Sequence, residues 1–222
     1  MMLYPVNLQI AGKLCLVIGG GKVGLRKIRT LLSCGARVMV ISPEVVEGIA
    51  LLVTKGEIEL QQRGYREGDL AGAFLAFAVT NNRRIQDQVA TEARKNGVFL
   101  NIADEPTRCD FQVPAQVRRG ELLLTVSTGG ASPALAKLIR EQLEEQFDGE
   151  YGKVISLFAR IRDVIVDRPG NSEVNRVMFQ RLLQAGLVDL VRGSKWELVA
   201  ALLRSELPEG IDVDALIGAV SS

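Results

Sequence analysis

Lys13–Lys27, KLCLVIGGGKVGLRK, decides how the rest of this 222-residue chain is read. A short apolar run, Leu14–Ile18, stops at three consecutive glycines, and a helical pattern begins at Lys22. Gly19, Gly21 and Gly24 carry the spacing G-x-G-x-x-G. In a strand–turn–helix unit the first glycine permits the tight turn. The second lets a pyrophosphate approach the backbone, and the third lets the helix pack closely on its strand. The helix start at Lys22 and Val23 then offers unpaired N–H groups and the positive end of the helix dipole to the phosphates. The same glycines fit an ordinary structural turn or a mononucleotide site. Context favours a dinucleotide, because Val23, Ile28, Leu31 and Leu32 recur at helical spacing, Gly35 marks a helix stop, and a second strand-like run, Arg37–Ile41, follows.

Outward from that unit the alternation continues. A helix-compatible segment runs from Pro43 to Val53, and a short strand lies near 58–61. AFLAFAV (73–79) is a continuous apolar run typical of a central parallel strand, a polar helix carries Ile85, Val89 and Ala93, and 98–102 reads as another strand. The expected fold class is α/β, a Rossmann-like doubly wound parallel sheet in the order 3-2-1-4-5 with room for a sixth strand. An irregular stretch, 103–114, is followed by a strand at 122–127 and a helix that Ser132 caps and Pro133 opens, with Leu135, Leu138, Ile139 and Leu143 as its stripe. Beyond Gly149 the pattern is helical: Tyr151–Val166, a break at 168–172, then candidates at 173–184, 195–205 and 213–220.

Composition narrows the function. A net charge of +1 gives no field to draw nucleic acid or an anionic membrane, and no apolar segment is long enough to span a bilayer. The start, MMLYPVNLQIAGK, lacks the pattern of a secretory signal, and three dispersed cysteines (Cys15, Cys34, Cys109) suit a reducing compartment, so a cytoplasmic protein is expected. The chain has no histidine, which removes His general bases, Ser-His-Asp triads and His-ligated zinc; no metal site is expected. Proton transfer falls to carboxylates, Lys, Tyr, Cys or water.

Ligands of such a sheet sit beyond the carboxyl ends of its strands. Three candidate places follow: Gly19–Gly24, Ser42-Pro43-Glu44 after the second strand, and Thr80-Asn81 after the AFLAFAV strand. A ribose-binding acid usually closes the second strand. Here Ser42 stands there and Glu44 lies two residues on, either as that acid or as a first-turn residue facing a helix dipole. No Lys or Arg lies between Ser42 and Glu47 to meet a 2′-phosphate, which favours NAD over NADP. Asp104 follows a strand and either faces the crevice or is a solvated turn acid; Glu105 and Asp110 read as surface acids, and Cys109 as an inert loop thiol or a soft ligand. Ser127, Thr128, Gly129, Gly130 and Ser132 place hydroxyls and open amides at a helix start, suited to capping and to receiving carboxylates. Arg118 and Arg119 either add charge there or form a surface turn.

LVIGGGKV (16–23) with Arg26-Lys27, GARV (35–38), NIAD (101–104) with Phe111 and Pro114, and VSTGGASPALA (126–136) continuing to Ile139-Arg140-Glu141 together resemble the precorrin-2 dehydrogenase/sirohydrochlorin ferrochelatase family, which also forms the amino-terminal half of fused siroheme synthases. The resemblance implies a Rossmann NAD-binding domain (1–113), a linking dimerisation segment (114–148) and a small helical C-terminal domain (149–222), assembled as a homodimer. It implies NAD-dependent oxidation of precorrin-2, a tetrapyrrole, to sirohydrochlorin for siroheme or cobalamin, with Asp104 as the key acid. It leaves open ferrochelatase activity, with Fe2+ as substrate. A chain ending at Ser222 leaves no space for the methyltransferase half, so the stand-alone form is expected. A non-catalytic NAD-sensing regulator with a partner-binding helical tail fits the same glycine loop. A short-chain dehydrogenase does not, because Tyr4, Tyr65 and Tyr151 are not followed four residues later by Lys.

Overall fold

The structure, a computed structural model, describes residues 3–166 and 172–221. The break expected at 168–172 therefore lies, except for Ser172, outside the described residues. The chain divides into two compact units, Met1–Val113 and Pro114–Ser222.

The first unit is a five-stranded parallel sheet. Its strands are β1 (Leu14–Gly20), β2 (Arg37–Val45), β3 (Glu59–Gln61), β4 (Leu75–Ala78) and β5 (Phe99–Ile102), in the order β3-β2-β1-β4-β5. The helices are α1 (Lys22–Ser33), α2 (Glu47–Thr54) and α3 (Arg83–Asn96). Alternate residues of β1 serve the two faces. Cys15 and Val17 pack with Ile28 and Leu31 of α1 and Ile49 of α2; Leu16 and Ile18 pack with Val89, Ala90 and Ala93 of α3. Both faces are covered, which is why the strands read as unbroken apolar runs. Each fully buried aliphatic side chain contributes about 1.5–3 kcal/mol. Val23, assigned to the apolar face of α1, is instead exposed, because in the first turn it is Gly24 that meets the strand.

Two sequence expectations change here. Pro43–Val45 does not open a helix. β2 runs on to Val45, and its pairing with β1 shifts so that Gly20 faces Val45. The missing side chain of Gly20 lets the Glu44 carbonyl come close, and the Val46 amide donates to the Gly20 carbonyl at 2.9 Å. Glu44 is therefore a strand residue, and Glu47 is the first-turn acid of α2. Nor does the strand at 122–127 join the sheet as a sixth member.

That strand, β7 (Leu122–Val126), pairs antiparallel with β6 (Ala115–Arg119) in the second unit, turning at Gly120 with φ +58°. Arg118 and Arg119 are thus strand residues rather than a turn. α4 (Pro133–Gln146) and α5 (Glu150–Val166) follow, then α6 (Ser172–Gln184), α7 (Leu187–Arg192), α8 (Trp196–Glu206) and α9 (Val213–Gly218). Val154, Leu157, Ile161 and Ile165 of α5 form one wall of a core completed by Leu182, Leu187, Val191, Val199, Leu203 and Leu216. α7 was not read from sequence; it is a six-residue helix set between glycines. No described helix is long and apolar enough to cross a membrane.

Replacing Leu157, which is fully buried, with Ala should cost about 2–5 kcal/mol. Leu183→Ala, on the exposed side of α6, should change stability by no more than about 0.5 kcal/mol. Urea midpoints of the two variants check this; equal shifts would contradict the helical core.

Candidate functional site

The turn after β1 is shaped by what glycine lacks. Gly19 has φ +121°, and a Cβ there would lie 2.9 Å from the carbonyl carbon and oxygen of Val79 and 3.0 Å from the Thr80 nitrogen. The end of β1 therefore rests directly on the backbone that leaves β4. A Cβ on Gly24 would lie 2.5 Å from the Gly19 carbonyl oxygen, so α1 touches its own strand through bare backbone. Gly21 differs: its φ is −83° and a Cβ would meet nothing within 4 Å. It is the N-cap of α1 and supplies no side chain to the first amides. The helix start thus presents unsatisfied N–H groups to open space, a cradle that fits the diphosphate of a dinucleotide.

Strand order reverses between β1 and β4, so this turn lies at the topological switch of the sheet. Three of the expected places meet along that carboxyl edge. Thr80 follows β4; its carbonyl accepts from Gln86 Nε2 at 2.7 Å and its hydroxyl oxygen accepts from the Asn82 amide at 3.3 Å. Asn81 is exposed. Ser42 is buried, and its hydroxyl donates to the Glu44 carbonyl at 2.6 Å, while Pro43 and the Glu44 side chain face solvent. Asp104 follows β5. It is exposed, its carboxylate makes no hydrogen bond or ion pair among the described residues, and its φ is +62°. Aspartate tolerates that left-handed conformation better than most residues, yet it is uncommon outside glycine.

Next to Asp104 the structure shows what spacing could not. Glu105 is no free surface acid. Its side chain is 16% exposed, Oε1 accepts from Arg83 Nη2 at 2.7 Å, and Oε2 accepts from Arg108 Nη1 at 2.8 Å. The two guanidiniums hold its carboxyl below the usual range. The pair interaction is therefore kept above the ordinary value of 4.5 and is lost only as pH falls through the lowered pKa. Asp110 accepts from the Leu100 amide at 2.9 Å and so closes β5. The Cys109 sulfur accepts from the Ile102 amide at 3.1 Å, and its proton is shared between the carbonyls of Ile102 and Glu105, both at 3.3 Å. Burial pushes that thiol up, away from a reactive thiolate. Lys27, one turn into α1, lies 5.0 Å from the centre of the Phe77 ring, and burial lowers its pKa. Arg83 and Glu105 are 22 residues apart, so no local pattern joins them.

In the second unit the loop before α4 caps itself. Ser132 accepts from the Leu135 amide at 3.2 Å, Ser127 accepts from the Gly129 amide at 3.2 Å, and Thr128 exchanges hydrogen bonds with the Ser132 backbone. Gly129 and Gly130 have φ +62° and +86°, and a Cβ on either would meet nothing within 4 Å. Each serine keeps its hydroxyl proton to donate. Arg119 is engaged elsewhere, donating to the carbonyls of Phe147 and Glu144 at the end of α4. Among the described residues no three His, Cys, Asp or Glu side chains cluster as a metal site.

Comparison with known proteins agrees with this geometry. Residues 6–115 match the family described as "Putative NAD(P)-binding", and residues 119–146 match the central family of sirohaem biosynthesis proteins. The siroheme synthase of Nitrosococcus oceani is 35% identical over 210 residues, 95% of this chain and 45% of that protein. That of Pseudomonas aeruginosa strain LESB58 is 34% identical over 211 residues, with the same two coverages. The chain thus spans a little under half the length of these curated relatives. Among solved structures, SirC, a precorrin-2 dehydrogenase, superposes with a TM-score of 0.71 at 29% identity, covering 81% of this chain and 89% of that one.

Gly24→Ala should destabilise by about 1–3 kcal/mol through the clash with the Gly19 carbonyl, although Ala normally stabilises a helix interior. Gly21→Ala should be nearly neutral. Thermal melts of both variants check this; a stabilised Gly24→Ala would contradict the close approach.

Proposed function

From these similarities we propose that the chain is a member of the siroheme synthase family and a precorrin-2 dehydrogenase that uses NAD. One observation carries the reading. The open backbone of Gly21 after β1 and the unpaired carboxylate of Asp104 after β5 stand on the same edge of one sheet, with β4 alone between their strands.

When bound there, NAD accepts a hydride. The chain's own residues do the rest. Gly19, Gly21, Lys22, Val23 and Gly24 would hold the diphosphate by backbone amides and the positive end of α1. Ser42, Pro43 and Glu44 would hold the ribose, and Thr80 and Asn81 the nicotinamide end. The carboxylate of Glu44, with no Lys or Arg from Ser42 to Glu47, would repel a 2′-phosphate, which supports NAD over NADP. Asp104 takes the proton that leaves precorrin-2 as the hydride departs, so the substrate loses two electrons and two hydrogens and gains a double bond. Extended conjugation in sirohydrochlorin drives the step, so a carboxylate base suffices. In the second unit, the open amides and hydroxyls of Ser127, Thr128, Gly129, Gly130 and Ser132 are suited to receiving carboxylates.

Insertion of Fe2+ as a second reaction has less support, because the Cys109 thiol on this rim is tied into the turn by its hydrogen bonds. We assign 114–148 as the linking, dimerisation segment and 149–222 as the helical domain. Leu135 and Leu138 of α4, 47% and 52% exposed, support a homodimer. Three free thiols suit a reducing cytoplasm.

Steady-state oxidation of precorrin-2 under anaerobic conditions tests the reading. Asp104→Asn, which tolerates the left-handed backbone, should lower kcat at least about a hundredfold while NAD+ binding persists. Gly21→Asp should fold normally and lose NAD+ binding, because its carboxylate would fill the diphosphate cradle. Wild-type turnover by the Asp104 variant would remove that residue from the mechanism. Leu138→Asp should yield a monomer in sedimentation; an unchanged mass would remove α4 from the dimer face.

A further inference from the structure

We infer that Glu105 is a positioning residue for Asp104, acting through the turn after β5; the inference rests on the proton-accepting role of Asp104 proposed above. Among the described residues only Asp104 and Ser194 combine a side chain with positive φ. Such a conformation persists only where its surroundings hold it. Here both neighbours are anchored. Before it, the Ala103 amide donates to the Ala78 carbonyl at 3.0 Å, tying the chain to β4. After it, Glu105 is fixed by side chain and by backbone.

The side-chain grip comes from two directions. Arg83, in the first turn of α3, donates twice to Oε1, at 2.7 and 3.2 Å. Arg108, in the short turn Pro106–Arg108, donates to Oε2 at 2.8 Å and is itself held by Asp87 of α3 at 2.8 Å. Arg83 and Asp87 lie one helical turn apart, so the loop is referred to α3 at two points. The backbone grip is the Glu105 carbonyl, which accepts from the Arg108 amide at 3.0 Å and from the Cys109 thiol at 3.3 Å. That thiol also accepts from the Ile102 amide, closing the loop onto the strand it left. Asp104 spans two fixed points, and its carboxylate is left unpaired while Arg83 and Arg108 are engaged by Glu105 and Asp87. Neutralising Glu105 removes the charge that holds Arg83, leaves Arg108 to Asp87 alone, and slackens the turn. Arg83 is 81% exposed, so its pair with Glu105 adds little to global stability, and Arg108 keeps Asp87, so the effect should fall on the aspartate more than on the fold.

The test is a double-mutant cycle on the full chain. Glu105→Gln should lower kcat for NAD-dependent precorrin-2 oxidation about tenfold, with the NAD+ dissociation constant within about twofold of wild type. In the Asp104→Asn background the same change should cost less than about twofold, because a positioning residue has nothing left to position. Arg83→Lys, which keeps the charge but loses the two-point grip, should follow the same pattern. Amide exchange at Arg108 should quicken in Glu105→Gln while exchange within β1 does not. A loss of equal size in both backgrounds, an undiminished kcat, or exchange that quickens throughout the sheet would overturn the positioning role alone. Absent turnover in wild type, or full turnover by Asp104→Asn, would overturn the reading of Asp104 and this inference with it.

Discussion

The close approach of bare backbones around Gly19 governs the first unit. The end of β1 meets the exit from β4 at Gly19 and the start of α1 at Gly24, in each case closer than a Cβ would allow. Nothing but glycine meets all three demands. Gly19 supplies the left-handed φ and the contact with Val79, Gly24 supplies the contact between helix and strand, and Gly20 admits the Glu44 carbonyl. The consequence is a helix start that is uncapped and open at Gly21, set at the reversal of strand order. Apolar burial on both faces of the sheet stabilises that arrangement, and the functional edge inherits its geometry from it.

A second constraint is chemical. Without histidine, the chain has no side chain that titrates near neutrality in its ordinary state, and burial pushes its Cys109 thiol further up. In the proposed reaction, the unpaired carboxylate of Asp104 in the turn after β5 is the acid–base equipment such a chain can offer.

Much of this was legible in the sequence because it is local. The run Leu14–Ile18, the glycines and the helical spacing from Lys22 fix β1 and α1, and unbroken apolar runs mark β4 as central. Ser132-Pro133 announces α4, and the hydrogen bond from the Leu135 amide to Ser132 follows from it. The misreadings arise where tertiary contact overrides a local signal. Ser42-Pro43-Glu44 looks like a helix start, yet the absent side chain of Gly20 keeps the strand running to Val45. Arg118-Arg119 looks like a turn, yet it pairs with Leu122–Leu123 in a hairpin. The grip on Glu105 joins α3 to a loop about twenty residues away, and only the folded chain brings those charges together.

The most direct measurement is a single anaerobic turnover, with the wild-type protein in excess over precorrin-2 and NAD+ saturating. The account predicts that sirohydrochlorin and NADH appear together, in equal amounts and at one rate. Bound NAD+ with an unchanged precorrin-2 spectrum, or sirohydrochlorin formed without NADH, would contradict it.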